Sequence, residues 1–357
     1  MEKLLSVIMP TYNRAWIIEY SLNLIKNQVV RNAEDVELIV CNNASTDNTV
    51  EVINNYLKNN DFFKFVNYTT HVEIGISISR SIDNASGKYF LLWGDDDVPD
   101  PRMIDTYVDA LKRYKDLGCI YSNRLQAFAS DGQPLQKVSV FDKRFEKQEI
   151  LFDNSETFIK TCYYGMTFLS VDLLSVDAWK KGKFLYNKEH FGFEYLAPFL
   201  YGISGSKCLY INYPMCIQRL LEKPRYIEKW VLYFYVGLPR ALKQMEDLGV
   251  ITNWQDMYKD YQYTKSDDAF INRFVSICLP NRNIYLPYVD EIVDYQKSRE
   301  RKLIARSLRL PKLVFLLACK IIPLPRRTRG YLSSIRIIRG VVKLMKGFVL
   351  KVIKRGC

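Results

Sequence analysis

Three carboxylates stand side by side at Asp95, Asp96 and Asp97, directly after the apolar run Leu91-Leu92-Trp93 and Gly94. Adjacent like charges at the end of a buried strand repel, which costs stability unless a cation or hydrogen-bond donors offset it. Carboxylate oxygens suit Mg2+ or Mn2+, and those ions in turn bind phosphates. A cation shared between such a loop and a diphosphate would stabilise charge on a departing nucleotide. The plainer use of an acidic turn is to cap the helix expected from residue 101; delivery of the loop by an apolar strand favours the metal, with Asp97 and Asp96 as its ligands. A second stretch, Asn42-Asn43-Ala44-Ser45-Thr46-Asp47, offers small polar groups that can pair with a base or ribose beside a helix N-terminus that favours anions. Taken alone it reads equally as an Asx turn with an N-cap. A third, Gly75-Ile76-Ser77-Ile78-Ser79-Arg80, combines a glycine that lets backbone approach a ligand with an arginine whose fork suits diphosphate oxygens. Taken alone it is a helix start with a surface arginine.

These loops need elements to hold them. Leu4–Met9, Val36–Asn42, Phe62–Thr69, Lys88–Trp93 and Gly118–Asn123 read as buried strands. Between them, residues 15–27, 46–58, 77–86 and 101–116 read as helices, with Ser45 or Thr46 as a cap. Alternation of this kind predicts an α/β fold of right-handed βαβ units around a mostly parallel sheet. Ligands of such sheets bind outside the carboxyl ends of the strands, and the loops after Met9, Cys41 and Trp93 all fall at that edge. Residues 161–222 read as strand, helix, strand, with a turn at Gly202–Lys207. Residues 226–300 read as helical, broken by Pro239, Pro280 and Pro287.

Charge is distributed unevenly. Residues 301–357 hold 16 of the 51 lysines and arginines and none of the 39 acids, so the rest of the chain is slightly acidic despite a net charge of +12. An acidic body argues against a nucleic-acid partner, and a basic tail suits anionic lipid. Between 335 and 354, Arg336, Arg339, Lys343, Lys346, Lys351 and Lys354 fall on one helical face, and residues such as Ile337, Val341, Leu344, Phe348 and Val352 on the other. The run Leu313–Ala318 is far shorter than the roughly 20 apolar residues a span requires, so the tail is expected to lie on a membrane. The eight cysteines form no Cys-x-x-Cys pair and there are only two histidines. That argues against zinc and for small core residues in a reducing, cytoplasmic compartment. Leu4–Met9 is too short for a signal peptide, and Pro10 ends it.

In this order the motifs resemble family 2 glycosyltransferases, closely over residues 4–125 and more loosely over 160–222. The family's opening Pro-Thr-Tyr-Asn is Pro10, Thr11, Tyr12 and Asn13 here. Its Ser-x-Asp loop is matched by Cys41–Asp47, its Gly-x-x-x-Ala-Arg by Gly75–Arg80 with Ser79 for Ala, and its Gly-Lys-Tyr strand and DxD loop by Gly87–Phe90 and Asp95–Asp97. The resemblance implies a GT-A fold, Rossmann-like with a C-terminal helical extension, and a nucleoside-diphosphate sugar donor, most simply a UDP-sugar, with Mn2+ or Mg2+. It places Tyr12 by the base, with Pro10, Thr11, Asn13, Asn43, Asp47, Gly75 and Arg80 around the donor. Asn42 stands where the family has an Asp that pairs with uracil. Gly94 stands at the family's first DxD acid, leaving Asp95 or Asp96 for the sugar-nucleotide. The general base falls at Glu194, counted back from Gly205, with Glu189 and His190 as neighbouring alternatives.

The organisation implied is a GT-A domain over 1–225, with a nucleotide-sugar half at 1–125 and an acceptor half at 126–225. A helical segment at 226–300 and a basic membrane-associating tail at 301–357 follow. The implied activity is inverting transfer of one sugar to a lipid-linked or oligosaccharide acceptor of a surface polysaccharide such as O-antigen or capsule, by a peripheral protein at the inner face of the cell membrane. A sugar nucleotidyltransferase would carry a Gly-rich basic loop after the first strand, and Pro10–Arg14 has no glycine. A non-catalytic membrane adaptor on a degenerate fold of this kind is the other alternative.

Overall fold

The computed structural model describes residues 3–129, 136–221, 227–263, 274, 277–278, 280–296 and 299–309. Strand β1 (Leu5–Thr11) leads into helix α1 (Ile18–Arg31), β2 (Val36–Asn43), α2 (Thr49–Leu57), β3 (Phe63–Tyr68), α3 (Ile74–Ile82), β4 (Tyr89–Leu92), a short β5 (Val98–Pro99) and α4 (Met103–Arg113). Then come β6 (Leu117–Ala129), β7 (Gln136–Val140), β8 (Glu149–Phe152), α5 (Ser155–Cys162), β9 (Asp172–Ser175), α6 (Val176–Gly182), α7 (Leu196–Gly202) and β10 (Lys207–Leu221). The sheet runs β3-β2-β1-β4-β9-β6-β10-β5. Along that path only β9 and β5 run against the rest, so the sheet is mostly parallel.

Helices on both faces explain the continuous apolar runs. Leu5, Val7, Ile8 and Met9 are fully buried, as are Leu38 to Cys41 and Phe90 to Leu92. A strand covered on both sides cannot alternate with polar residues. Each such aliphatic side chain contributes about 1.5–3 kcal/mol. Among the described residues six cysteines are buried and unpaired, which fits their reading as small core residues.

Several boundaries differ from the sequence expectation. Helix α2 starts at Thr49, because Ala44 turns through a left-handed φ of 57° and the Asp47 carboxylate, not Ser45 or Thr46, accepts the Thr49 N–H at 3.0 Å. Strand β6 runs to Ala129, because β10 pairs with it in parallel as far as Leu221. The expected strand at the start of 161–222 is the end of α5, and the strand there is only Asp172–Ser175.

The chain forms two compact units, Met1–Pro224 with Arg240–Met257, and Arg225–Pro239 with Tyr258–Cys357. Residues 240–257, expected within a separate helical segment, therefore pack with the first unit through helix α8 (Leu238–Asp247). The second unit is helical where described, with Trp230, Tyr235, Phe274, Tyr285 and Ile292 buried. The first residues of the expected tail form helix Arg299–Ser307, in which Arg301, Ile304 and Ala305 are buried, so they are packing residues and not a free basic face. The amphipathic stretch 335–354 lies outside the described residues. Among the described residues no helix is long and apolar enough to cross a membrane.

Candidate active site

The acidic loop leaves the sheet at the carboxyl end of β4, where the Trp93 amide bonds the Ile8 carbonyl of β1 at 2.8 Å. Ser170 ties the loop together: its Oγ accepts the Gly94 N–H at 2.8 Å and donates to Asp97 Oδ2 at 2.6 Å. A Cβ on residue 94 would lie 2.6 Å from that carboxylate oxygen, which explains why glycine occupies the first acid's place. The charge repulsion is offset by two arginines. Arg14 Nε donates to Asp95 Oδ1 at 2.8 Å and its Nη2 to Asp96 Oδ2 at 3.3 Å. Arg219 Nε donates to the Asp96 carbonyl at 3.0 Å and its amide to Asp97 Oδ1 at 3.3 Å. Burial, reinforced by the Asp96 charge, pushes Asp97 up to about 8. Burial also raises Asp95, against the opposing pull of Arg14. Burial works against the Arg14 charge, but Asp95 and Asp96 outweigh it and raise its pKa. Arg14 and Ser170 carry no motif signal of their own. The one pointer to Arg14 is its place directly after Pro10–Asn13.

Mg2+ and Mn2+ are commonly held by one or two carboxylates together with substrate phosphates and water, not by an all-protein cage. Among the described residues no group of three or more His, Cys, Asp or Glu could hold an ion alone. The adjacent carboxylates of Asp96 and Asp97, one partly exposed and one held by donors, fit the shared kind of site.

At the carboxyl ends of β1 and β2, Pro10 and Thr11 pair with Cys41 and Asn42. Tyr12 stacks on His71, with ring centroids 4.3 Å apart. Asn13, at a left-handed φ of 54°, accepts the Thr46 N–H at 2.8 Å, and its own amide donates to Ser45 Oγ at 2.9 Å. The Asn42 amide is engaged at both ends: its Oδ1 accepts from Ser45 Oγ at 2.5 Å and its Nδ2 donates to Asn67 Oδ1 at 2.8 Å. Asp47 braces the loop by accepting the Ala15 and Thr49 amides. Those bonds, with the Thr49 hydroxyl, outweigh burial and hold its carboxyl below the usual range. Arg80, expected at a diphosphate, donates to Asn43 Oδ1 and to the Thr70 carbonyl and lies 3.8 Å from the Tyr68 ring. It positions the segment that carries His71, because Asn43 also bonds the backbone of Val72 in both directions.

Gly75 lies against Glu194, the proposed base. A Cβ there would meet Tyr186 Oη at 2.8 Å and Glu194 Oε2 at 3.0 Å. The chain reaches Glu194 through a sharp reversal, with Phe191 at φ 37° and Gly192 at φ 75°, closed by a Phe193 N–H to His190 carbonyl bond of 3.2 Å. Glu194 is buried beside the start of α7. Burial, then the charges of Glu194 and Glu73, pushes the Tyr186 phenol up to about 12. Of the alternatives, Glu189 is half-exposed and ion-paired with Arg240 at 3.2 Å. Burial and the nearby Arg240 hold His190 down to about 4, hence neutral at physiological pH.

A mostly parallel α/β sheet with an acidic loop after its fourth strand and a second, antiparallel-strand half is the GT-A architecture. The sequence model described as "Glycosyl transferase family 2" matches residues 6–173 of this chain. The abequosyltransferase RfbV of Salmonella typhimurium is 34% identical over 126 residues, 32% of this chain and 37% of that protein. The GalNAc(5)-diNAcBac-PP-undecaprenol beta-1,3-glucosyltransferase of Campylobacter jejuni is 35% identical over 94 residues, 26% of this chain and 29% of that one. The matches thus span well under half of these relatives' length. The 1-349 portion of S. aureus TarS, solved in complex with UDP, aligns with a TM-score of 0.59 at 13% identity over 89% of this chain and 90% of that one, which shows the shared fold.

Proposed function

We propose that the chain is an inverting glycosyltransferase that moves one sugar from a nucleoside-diphosphate sugar to a lipid-linked glycan in surface-polysaccharide assembly. The observation that carries this reading is the position of Glu194. Its carboxylate lies against Gly75, at the start of the helix that follows β3. That is the same strand edge from which β4 delivers the acidic loop and β1 delivers Tyr12. A base there removes the proton from an acceptor hydroxyl as the oxygen attacks the anomeric carbon. The nucleoside diphosphate then leaves on the side of Asp95–Asp97, where Arg14 already supplies positive charge. A bound Mn2+ or Mg2+, held by Asp97 and Asp96, would neutralise the charge on the departing diphosphate. The Tyr12–His71 pair gives an aromatic surface for a base, and UDP bound to the fold-mate TarS supports a UDP-sugar. The undecaprenol-linked acceptor in the Campylobacter relative's name supports a lipid-linked glycan, and the basic sequence 301–357 supports action at the inner membrane face.

The test is calorimetric titration with UDP, GDP, CMP and dTDP, with and without Mn2+, on the protein and its Asp97→Asn variant, followed by donor turnover in Glu194→Gln. Metal-dependent binding of one nucleotide, weakened in Asp97→Asn, with turnover reduced at least a hundredfold in Glu194→Gln, is the expected result. No binding of any nucleotide would overturn the reading.

A further inference from the structure

Phe184, at 70% exposed, is the large apolar side chain most open to water among the described residues. It stands in a single 3-10 turn, Lys183–Leu185, that continues α6. The turn has a firm base, because α6 and α7 meet backbone to backbone. A Cβ on Gly182 would lie 2.0 Å from the Pro198 carbonyl oxygen, and one on Gly202 2.1 Å from that of Ala178. Buried Trp179 packs edge-on against Phe199 between them, and Phe184 meets Tyr201 edge to face at 5.4 Å between centroids. A lone exposed ring needs no explanation, but this one has company. Ile74 and Ile76, 58% and 44% exposed, flank Gly75. Gly75 lies against Tyr186, two residues after Phe184, while Lys183 pairs with Asp83 at the far end of α3. Helix α3 and the 183–186 segment therefore run side by side, and three exposed apolar side chains belong to that pair. Charge surrounds them with one sign in excess. Residues 176–188 hold four lysines and one acid, Asp177. Asp83 neutralises Lys183, and Asp177 reaches Lys180 only at 3.8 Å in an exposed pair. The Lys181 ammonium lies 5.6 Å from the Tyr201 ring, beside Phe184.

We propose that this platform is a docking surface for an anionic bilayer, separate from residues 301–357. Phe184 enters the boundary between headgroups and acyl chains, and Lys180 and Lys181 rest at the lipid phosphates. The composition selects this occupant. Lysine is depleted from protein–protein interfaces, and a stable protein partner needs about 800 Å² from each side. A bilayer demands no matching shape, so a few apolar side chains ringed by lysines suffice. The purpose of the contact rests on the glycosyltransferase reading, but its chemistry does not. A lipid-linked acceptor is confined to the membrane, and Gly75 touches both Tyr186 of this surface and Glu194. Docking through Phe184 would hold the base at the surface where such an acceptor lies.

The test places a reporter at the site. Full-length Phe184→Trp is mixed with vesicles of phosphatidylcholine, alone or with phosphatidylglycerol, made with and without bromine on the acyl chains. The emission of the added indole is read as the difference from unaltered protein, so it reports position 184 whether or not residues 301–357 also hold the vesicle. On the anionic vesicles that emission should move to the blue and be quenched by the bromine. The double variant Lys180→Glu with Lys181→Glu should sediment with them at least about tenfold more weakly. Its melting temperature, compared with that of the unaltered protein, reports that it is folded. The proposal is overturned if the protein sediments with vesicles while the position-184 emission stays unchanged, if it binds neither vesicle, or if the double variant binds as before. It is equally overturned if the protein self-associates without lipid and Phe184→Asp abolishes that, since the occupant is then a second copy. Failure to bind any nucleotide would instead strike at the glycosyltransferase reading and leave a lipid contact at Phe184 standing.

Discussion

Replacing Gly75 with alanine separates two roles that one glycine could have. A donor-site glycine would matter because backbone approaches a diphosphate. In the structure its missing side chain is what lets Glu194 sit where it does. The added Cβ would lie 2.8 Å from Tyr186 Oη and 3.0 Å from both Cβ and Oε2 of Glu194. These neighbours are side-chain atoms, so the fold can yield by moving them a few tenths of an ångström. Overpacking of this sort costs about 1–3 kcal/mol, partly offset by the roughly 0.5–1 kcal/mol alanine gains over glycine in a helix. The melting temperature should therefore fall by only a few degrees. Catalysis is less forgiving. Misplacing a reacting group by about 1 Å can cost on the order of a hundredfold in rate, equivalent to about 2.7 kcal/mol. A displacement of a few tenths of an ångström in Glu194 should lower kcat by about tenfold or more on that scale. Steady-state assay of nucleoside diphosphate release, with parallel calorimetry of UDP, reads both quantities. The expected pattern is a reduced kcat with donor affinity within twofold of the unaltered protein. Lost UDP affinity with kcat intact would refute the reading that Gly75 acts through Glu194 as the proposed base.

Arg14→Met should destabilise the protein by about 3 kcal/mol in urea unfolding, because a buried carboxylate, Asp95, loses its partner. Added Mn2+ should restore part of that loss, since a cation replaces the missing charge. Gly94→Ala should weaken metal-dependent UDP binding by about tenfold, because its Cβ would displace a proposed ligand, Asp97, and such ligation needs sub-ångström placement; unchanged calorimetric affinity would show that Asp97 does not face the donor. His190 titrates near 4 when folded, below its ordinary value of about 6.5. The unfolded chain therefore binds more protons between those values. Stability from this group is present above about pH 6.5 and is lost as pH falls toward 4, by at most about 3 kcal/mol. Unfolding curves of His190→Gln should lack that part of the acid sensitivity, and an NMR titration of His190 near 6.5 would contradict the cause assigned to it.

The sequence by itself determined the first strands of the sheet and the acidic loop between them and the second half. Those strands are continuous apolar runs because both faces are covered, so Leu5–Met9, Leu38–Cys41 and Phe90–Leu92 could be read without coordinates. The acidic loop had to follow the last of them at the ligand-binding edge, and that adjacency is local in the chain. Only the tertiary structure decided the partners. Arg14 meets Asp95 across eighty-one residues, Ser170 meets Asp97 across seventy-three, and Gly75 meets Glu194 across more than a hundred. No periodicity or spacing records contacts of that separation, because they arise from the order in which strands enter the sheet. The same reason governs the surroundings of two further expected residues. Arg80 and Asn42 stand at the expected positions, but their hydrogen-bonding groups turn to Asn43, Thr70, Ser45 and Asn67, and side-chain direction is set by neighbours that a linear pattern cannot show.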